Sequence, residues 1–135
     1  MVMIWSLFFE EPCAMNRRQI GFVNSYKIGM AFKKNDLTEW GKAYLERLHE
    51  IMQVESIWLF GSRIRGDATE ESDLDVAVVS HEFDGDYLEA YGKANGVFWH
   101  FDTPCDIEVH GLGVKDFQNG GPLVEEIQRY GIEIH

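Results

Sequence analysis

Two aspartates, Asp73 and Asp75, are the residues whose types and spacing most directly indicate chemistry. They are separated by one residue and lead into the apolar run of residues 76–79. Side chains alternate along a strand, so both carboxylates are expected on one face, with Cα atoms about 6.5–7 Å apart. Two like charges so close together are costly unless cations neutralise them. The pair therefore predicts a site for two divalent metal ions, although alone it would also fit a turn cap followed by an exposed edge residue.

A Gly-Ser turn precedes this pair by ten intervening residues and ends an apolar run that closes with Trp58, Leu59 and Phe60. Gly61 allows the backbone to approach a ligand closely, and Ser62 is a good N-cap, so a helical turn is predicted to begin there. The free N–H groups of such a turn attract anions. Arg63 and Arg65 add forked donors suited to phosphate. The turn predicts a phosphate site, and the alternative is an ordinary strand-to-helix turn with solvated arginines.

Together these elements resemble the signature of the DNA polymerase β-like nucleotidyltransferase superfamily. The closer resemblance is to its minimal nucleotidyltransferase (MNT) branch, where Gly-Ser-Arg-x-Arg-Gly and Ser-Asp-x-Asp recur. The positions of this chain that match are Gly61, Ser62, Arg63, Arg65, Gly66, Ser72, Asp73 and Asp75. The resemblance covers about residues 36 to 134, which is most of the chain.

The resemblance implies an α/β fold, a small mixed β-sheet with helices packed on one face. It also implies transfer of AMP from ATP to a hydroxyl, with release of pyrophosphate. In that reaction Gly61 and Ser62 would hold the β- and γ-phosphates, aided by Arg63 and Arg65. Asp73 and Asp75 would coordinate two Mg²⁺ ions, and catalysis would consist mostly of positioning and charge neutralisation.

A third carboxylate is expected on a strand predicted over residues 105–109. Asp106 and Glu108 alternate there with apolar residues, so they share one face. The resemblance implies that one of them completes the metal site and helps to activate the attacking hydroxyl. Asp106 matches the usual position best, Glu108 remains a competitor, and an exposed acidic face is the alternative.

The remaining pattern predicts the elements that position these residues. Asp36 and Glu39 form a capping box for an amphipathic helix. Pro122 and Gly131 bracket a short C-terminal helix. The predicted elements are a helix over 36–53, strands over 54–60 and 74–79, a helix over 87–100, the strand over 105–109, a helical turn over 114–118, a helix over 123–130 and a small strand over 132–134.

Length and charge limit the function further. The 135 residues fit one domain, predicted at residues 35–135, after an N-terminal extension of residues 1–34 that is either genuine or the product of a misassigned start. A net charge of −11 argues against a protein that grips nucleic acid along its backbone. Cys13 and Cys105 are predicted to be free thiols in a reducing cytoplasm. The apolar opening residues are too short for a membrane span.

The acceptor hydroxyl is expected to come from a partner, because the chain has no obvious second domain. Many MNT proteins pair with a small helical HEPN protein in toxin–antitoxin systems, and the resemblance implies that the MNT protein adenylylates a tyrosine of the HEPN ribonuclease. An acidic surface suits such a partner, since a ribonuclease needs cations to hold RNA. Two alternatives stay open: a nucleotidyltransferase acting on small molecules such as aminoglycosides, and an antitoxin that acts by complex formation alone.

Overall fold

The computed structural model describes residues 34–135. Its centre is a four-stranded mixed β-sheet, with helices and two short 3-10 helices between the strands. In chain order the elements are α1 (Lys34–His49), β1 (Ser56–Phe60), α2 (Ser62–Arg65), β2 (Leu74–Val79), a 3-10 helix (His81–Asp84), α3 (Tyr87–Gly96), a second 3-10 helix (Val97–His100), β3 (Ile107–Leu112), α4 (Val114–Asn119), α5 (Pro122–Tyr130) and β4 (Ile132–Ile134).

The strands lie in the order β3-β2-β1-β4. β1 is antiparallel to both β2 and β4, and Phe60 at its end lies opposite Asp75. β2 and β3 are parallel, with Asp75 beside Glu108 and Ala77 beside His110. A parallel pair requires a long crossover, and residues 80–106 supply it with α3. The expected α/β class with a small mixed sheet is confirmed.

The main core lies on one face of the sheet, where α1 and α3 pack. Alternation places Leu74, Val76 and Val78 of β2 on this face, and all three are buried. Tyr44 of α1 is fully buried among them and donates a hydrogen bond from its hydroxyl to the carbonyl oxygen of Ala94 at 2.8 Å. The two longest helices therefore pack on the same face of the sheet, in agreement with the predicted packing of helices on one face.

A smaller apolar cluster lies on the opposite face of the sheet. Phe60 and Ala77 form it with Ile127 of α5, which is completely buried. Trp58, Leu112, Phe117 and Leu123 are partly buried against it. The short C-terminal helices thus add a second, partial layer, and the part of this face nearest Asp75 and Glu108 carries polar side chains.

Several element boundaries differ from the predictions. The first helix covers Lys34–His49 and not residues 36–53, so Asp36 lies inside it and the predicted capping box of Asp36 and Glu39 is wrong. β1 begins at Ser56 and not at residue 54. The helix predicted over 87–100 changes at Gly96 to a 3-10 helix, as glycine weakens an α-helix and 3-10 turns are common at helix ends. β2, α5 with Gly131 as its C-cap, and β4 follow the predictions closely.

The third strand is the largest correction, because it occupies residues 107–112 and not 105–109. Gly111 lies inside the strand. A side chain at that position would collide with the ring of Phe83, so the crossover packs directly on the glycine backbone.

The predicted extension, residues 1–34, lies outside the described residues except for Lys34, which begins α1. Cys13 also lies outside them, and Cys105 has a free thiol. Within residues 34–135, none of the helices is both long and apolar enough to cross a bilayer.

Candidate active site

Three side chains converge where β2 and β3 run side by side: Asp75, Glu108 and His110. Parallel pairing brings Asp75 level with Glu108, and His110 follows two residues later on the same face. Nε2 of His110 lies 3.0 Å from Oδ1 of Asp75 and 3.8 Å from Oε2 of Glu108. One ligand atom from each residue lies within 4.8 Å of the other two. Two strands therefore build a compact group of two carboxylates and an imidazole.

The surroundings hold Asp75 and His110 in place. Their side chains are 23% and 26% exposed, whereas that of Glu108 is 57% exposed. The ring of Phe60, at the end of β1, packs against the imidazole of His110 with 5.1 Å between ring centroids. The group thus has a partly buried floor and one side chain open to solvent, as a site for a ligand from solution requires.

The charge of His110 is coupled to these carboxylates. The hydrogen bond to Asp75 is the main cause that raises the pKa of His110, and the negative charges of Asp75, Glu108 and Glu126 act in the same direction. Partial burial opposes this effect, because it disfavours the charged imidazole. The raised pKa favours an imidazolium that offsets the clustered negative charge.

The Gly-Ser turn lies directly against this group. Gly61 has a φ of 89°, and a Cβ at this position would collide with Oδ2 of Asp75. The backbone N–H groups of Ile64 and Arg65 donate to the carbonyl oxygen of Gly61 at 3.0 and 2.9 Å. Gly61 is therefore the N-cap of α2, and the prediction that Ser62 caps this helix is wrong. The N-cap therefore lies one residue earlier than predicted, at Gly61 with its positive φ, and Ser62 is the first residue of the helix.

The two arginines after the turn bind acceptors of the chain itself. Nε of Arg63 donates to the carbonyl oxygen of Ser72 at 2.8 Å, and its Nη2 donates to the carbonyl oxygen of Glu70 at 3.2 Å. Nη1 of Arg65 lies 2.7 Å from a carboxylate oxygen of Glu126. Arg63 thus holds the loop that leads to the aspartates, and Arg65 joins the turn to α5.

Asp73 and Asp106 lie at the entrances to the strands. Each is exposed, and each precedes its strand by one residue. The backbone N–H of Leu74 donates to the carbonyl oxygen of Asp106 at 2.8 Å, so the two entrances are joined through the backbone. Among the residues of 34–135, the grouped ligand atoms are those of Asp75, Glu108 and His110, and neither Asp73 nor Asp106 is among them.

Sequence reasoning did not identify His110. The signal was present, because period-2 alternation from Glu108 places His110 on the same face. It was hidden by the predicted end of the strand at residue 109, whereas the strand continues to Leu112.

The donor set fits a divalent cation. Carboxylate oxygens are the ligands that Mg²⁺, Ca²⁺ and Mn²⁺ prefer, and imidazole nitrogen is a common ligand of first-row transition metals. Asp75, Glu108 and His110 offer two atoms of the first kind and one of the second. Asp73, exposed beside β2, is available as a further carboxylate.

One family of known proteins matches part of the chain. Residues 42–101 match the model of the nucleotidyltransferase domain family, and they include the Gly-Ser turn and both aspartates. Glu108 and His110 lie beyond the matched residues. No curated protein matches the chain in sequence.

Two solved structures are similar to the chain. One is the crystal structure of a proposed nucleotidyltransferase from Sulfolobus solfataricus, which is 17% identical, with a TM-score of 0.52 over 78% of this chain and 90% of that one. At that identity the likeness shows the fold. The other is also described as a proposed nucleotidyltransferase and is 28% identical, with a TM-score of 0.36 over 63% of this chain and 83% of that one. Residues 42–101 are thus similar to nucleotidyltransferase domains, and the chain shares the fold of the first of these structures.

Proposed function

We propose that the chain is a metal-dependent nucleotidyltransferase that moves AMP from ATP to a hydroxyl. One observation carries this proposal: the backbone of Gly61, in the turn suited to phosphate, lies against the carboxylate of Asp75, which faces Glu108 across the strand pair. A triphosphate on the turn would therefore lie beside carboxylates able to hold its cations. Nucleotidyl transfer needs both a phosphate site and a cation site, and here the turn at Gly61 is in contact with the carboxylate of Asp75.

Different residues of the chain would bind the phosphates and the metal ions. Gly61 and Ser62 offer backbone N–H groups and a hydroxyl to the β- and γ-phosphates, and Arg65, which is partly exposed, can exchange its partner Glu126 for a phosphate. Arg63 acts through the loop that it holds in place. Asp73 and Asp75 would hold two Mg²⁺ ions with the third carboxylate. When bound, these cations neutralise charge on the triphosphate and favour loss of the proton from the acceptor hydroxyl.

The placement of the strands favours Glu108 over Asp106 as the third carboxylate, because Glu108 lies beside Asp75 and Asp106 precedes the strand. The variants Glu108→Gln and Asp106→Asn separate the two. We expect Glu108→Gln to lower kcat/KM for AMP transfer at least tenfold more than Asp106→Asn does, a difference of about 1.4 kcal/mol in transition-state free energy. Equal losses, or a larger loss for Asp106→Asn, would return the role to Asp106.

We propose a tyrosine of a HEPN-type protein as the acceptor. Tyr87, Leu88 and Tyr91 of α3 support a protein partner, because they form an exposed apolar surface, here called the α3 stripe; their exposed fractions are 45%, 80% and 37%. The two tyrosine rings stack with centroids 6.1 Å apart. Acidic residues flank the stripe, namely Asp84, Asp86 and Glu89. An apolar centre with an acidic rim suits a basic partner such as a ribonuclease.

Intact-mass spectrometry of the partner tests the acceptor. A HEPN-type protein is incubated with the chain, ATP and Mg²⁺. We expect this protein to gain the mass of one or more AMP groups with the natural chain and with Asp116→Asn, a matched control at an exposed position of α4, but not with Asp75→Asn.

The other outcomes identify the alternatives. A stable complex without added mass would favour an antitoxin that acts by binding alone. Transfer of AMP to a small hydroxylated acceptor without any protein partner would favour the small-molecule enzyme.

A further inference from the structure

We propose that His110 is a metal ligand of this chain, and that its imidazole nitrogen gives the site a preference for first-row transition ions such as Mn²⁺ over Mg²⁺. The inference rests on the proposed function for the presence of a divalent cation, and it adds a ligand and a metal preference that a carboxylate-only site would lack. Asp75, Glu108 and His110 are the residues that carry it.

The position of Nε2 is the first step. It lies 3.0 Å from an oxygen of Asp75 and 3.8 Å from an oxygen of Glu108, on the side of the imidazole that faces both carboxylates. A cation held by those two oxygens would lie within reach of the same nitrogen, because all three donor atoms fit within 4.8 Å. The imidazole is therefore placed as a third donor.

The orientation of the imidazole is the second step. β3 fixes the backbone of His110 through its pairing with Ala77, and the ring of Phe60 packs against the imidazole. A nitrogen held in this way loses little conformational freedom when it binds a metal.

The chemistry of the donor set is the third step. Mg²⁺ favours oxygen ligands and binds nitrogen weakly, whereas imidazole is a good ligand for transition ions. To bind a metal, Nε2 must carry a lone pair, so a proton on that nitrogen would have to pass to solvent while Nδ1 keeps its own. The ion would then lie between His110 and Asp75, where the two side chains are now in hydrogen-bond contact.

Pulsed electron paramagnetic resonance of bound Mn²⁺ tests the proposal directly. In the full chain at about pH 8, coupling between the electron spin of Mn²⁺ and the ¹⁴N nucleus reports a nitrogen ligand. We expect this coupling in the natural chain and its loss in His110→Gln. His81→Gln is the matched control. His81 also lies near two carboxylates, at 3.8 Å from Glu55 and 3.7 Å from Asp84. Its side chain is 62% exposed, and it belongs to the 3-10 helix that follows β2.

Affinities measured by calorimetry give a second readout. We expect His110→Gln to weaken Mn²⁺ binding about tenfold, and to change Mg²⁺ binding by less than about threefold, because an amide oxygen still serves Mg²⁺. His81→Gln should change neither. Labelling the natural chain with ¹⁵N-histidine should replace the ¹⁴N coupling by a ¹⁵N coupling, and this experiment does not depend on the folding of any variant.

Three results would overturn the inference: no nitrogen coupling in the natural chain, a coupling unchanged in His110→Gln, or no binding of Mn²⁺ at all. The proposed function fails separately. Nitrogen coupling without AMP transfer to any acceptor would leave the metal ligand standing and remove the transferase, whereas AMP transfer with only oxygen ligands around Mn²⁺ would do the reverse.

Discussion

Gly61 satisfies two requirements at once, and each can be tested with a separate variant. Its φ of 89° disfavours any side chain, and a Cβ there would also collide with the carboxylate of Asp75. Gly66, at the other end of α2, has a φ of 100° but open space around it. Both glycines therefore need a positive φ, but only at Gly61 would a side chain collide with a neighbouring residue.

Alanine at each position separates the two effects. Gly66→Ala should lower the free energy of unfolding by about 1–2 kcal/mol, the cost of a left-handed conformation. Gly61→Ala should lower it by about 2–5 kcal/mol, because displacement of Asp75 adds to that cost. Urea denaturation measures both, and Mn²⁺ binding should weaken in Gly61→Ala alone. Equal destabilisation by the two variants would show that Asp75 moves aside freely.

Arg63 and Arg65 look alike in the sequence, but their contacts predict different effects. Arg63 donates to carbonyl oxygens of the loop before β2, whereas Arg65 forms a partly exposed ion pair with Glu126. Arg63→Ala should therefore loosen the loop and increase its cleavage after Glu70 and Glu71 by a glutamate-specific protease severalfold. Arg65→Ala should leave cleavage near the natural rate, because such ion pairs contribute about 0–1 kcal/mol. Equal cleavage of the two variants would contradict a structural role for Arg63.

At the scale of residues, the sequence predicted the local structure better than the contacts. The turn at Gly61 and the strand that carries Asp75 were predictable, because glycine favours turns and alternating apolar residues favour strands. The roles of Ser62 and Arg63 depended on atoms that the sequence cannot place. The N-cap depends on the φ of Gly61, and the partner of Arg63 is a set of backbone carbonyls in a loop, which any residue type could supply.

At the scale of elements, the path of β3 decides which residues share the site. The strand begins at Ile107 because the backbone N–H of Leu74 binds the carbonyl oxygen of Asp106 there, and it continues through Gly111 to Leu112. A shift of one residue in the register of such a strand moves every side chain to the other face. A shift of two residues keeps the face, but it places a different side chain beside Asp75. The choice between Asp106 and Glu108 was therefore a question of register, and local sequence carries little information about register.

Glu82 joins three elements and makes a pH-dependent contribution. Its carboxylate lies 2.8 Å from Nζ of Lys93 on α3 and accepts a hydrogen bond from the backbone N–H of Gln53 at 2.8 Å. The hydrogen bond from Lys93 is the main cause that lowers the pKa of Glu82, and the one from Gln53 acts with it. Because the pKa is lowered on folding, the charged form stabilises the folded chain above the unfolded pKa, and this contribution is lost as pH falls through the folded pKa.

Glu82→Gln should therefore reduce the urea midpoint at pH 6–7, and the difference from the natural chain should shrink below about pH 4, where the carboxylate of the natural chain is increasingly protonated. Urea denaturation of both chains as a function of pH measures this difference in midpoint. Glu46→Gln, at an exposed position of α1, is the control and should leave the midpoint nearly unchanged throughout. A difference that grows as pH falls would contradict the sign derived from the lowered pKa.

At the scale of the whole molecule, net charge bears on the proposed binding of a second protein. The chain carries a net charge of −11, and acidic residues lie next to the apolar α3 stripe in sequence. Long-range attraction between an acidic surface and a basic partner increases the association rate at low salt, while apolar contacts at the centre of an interface mainly determine the dissociation rate. The two contributions can therefore be measured separately in one binding experiment.

Leu88→Arg tests the α3 stripe as the docking surface, because Leu88 is its most exposed member, at 80%. The variant should fold normally but bind the HEPN-type partner at least tenfold more weakly, since it removes an apolar contact and brings a positive charge toward a basic surface, a loss of about 1.4 kcal/mol or more. Ile51→Arg is the matched control: Ile51 is 46% exposed, but it follows α1, away from the stripe in sequence, and its variant should bind as the natural chain does.

Biolayer interferometry gives both rate constants, and raising the salt concentration from about 50 to 500 mM should lower the association rate of the natural chain and of both variants. If Ile51→Arg weakened binding and Leu88→Arg did not, the partner would dock near the end of α1 and the stripe would have another occupant.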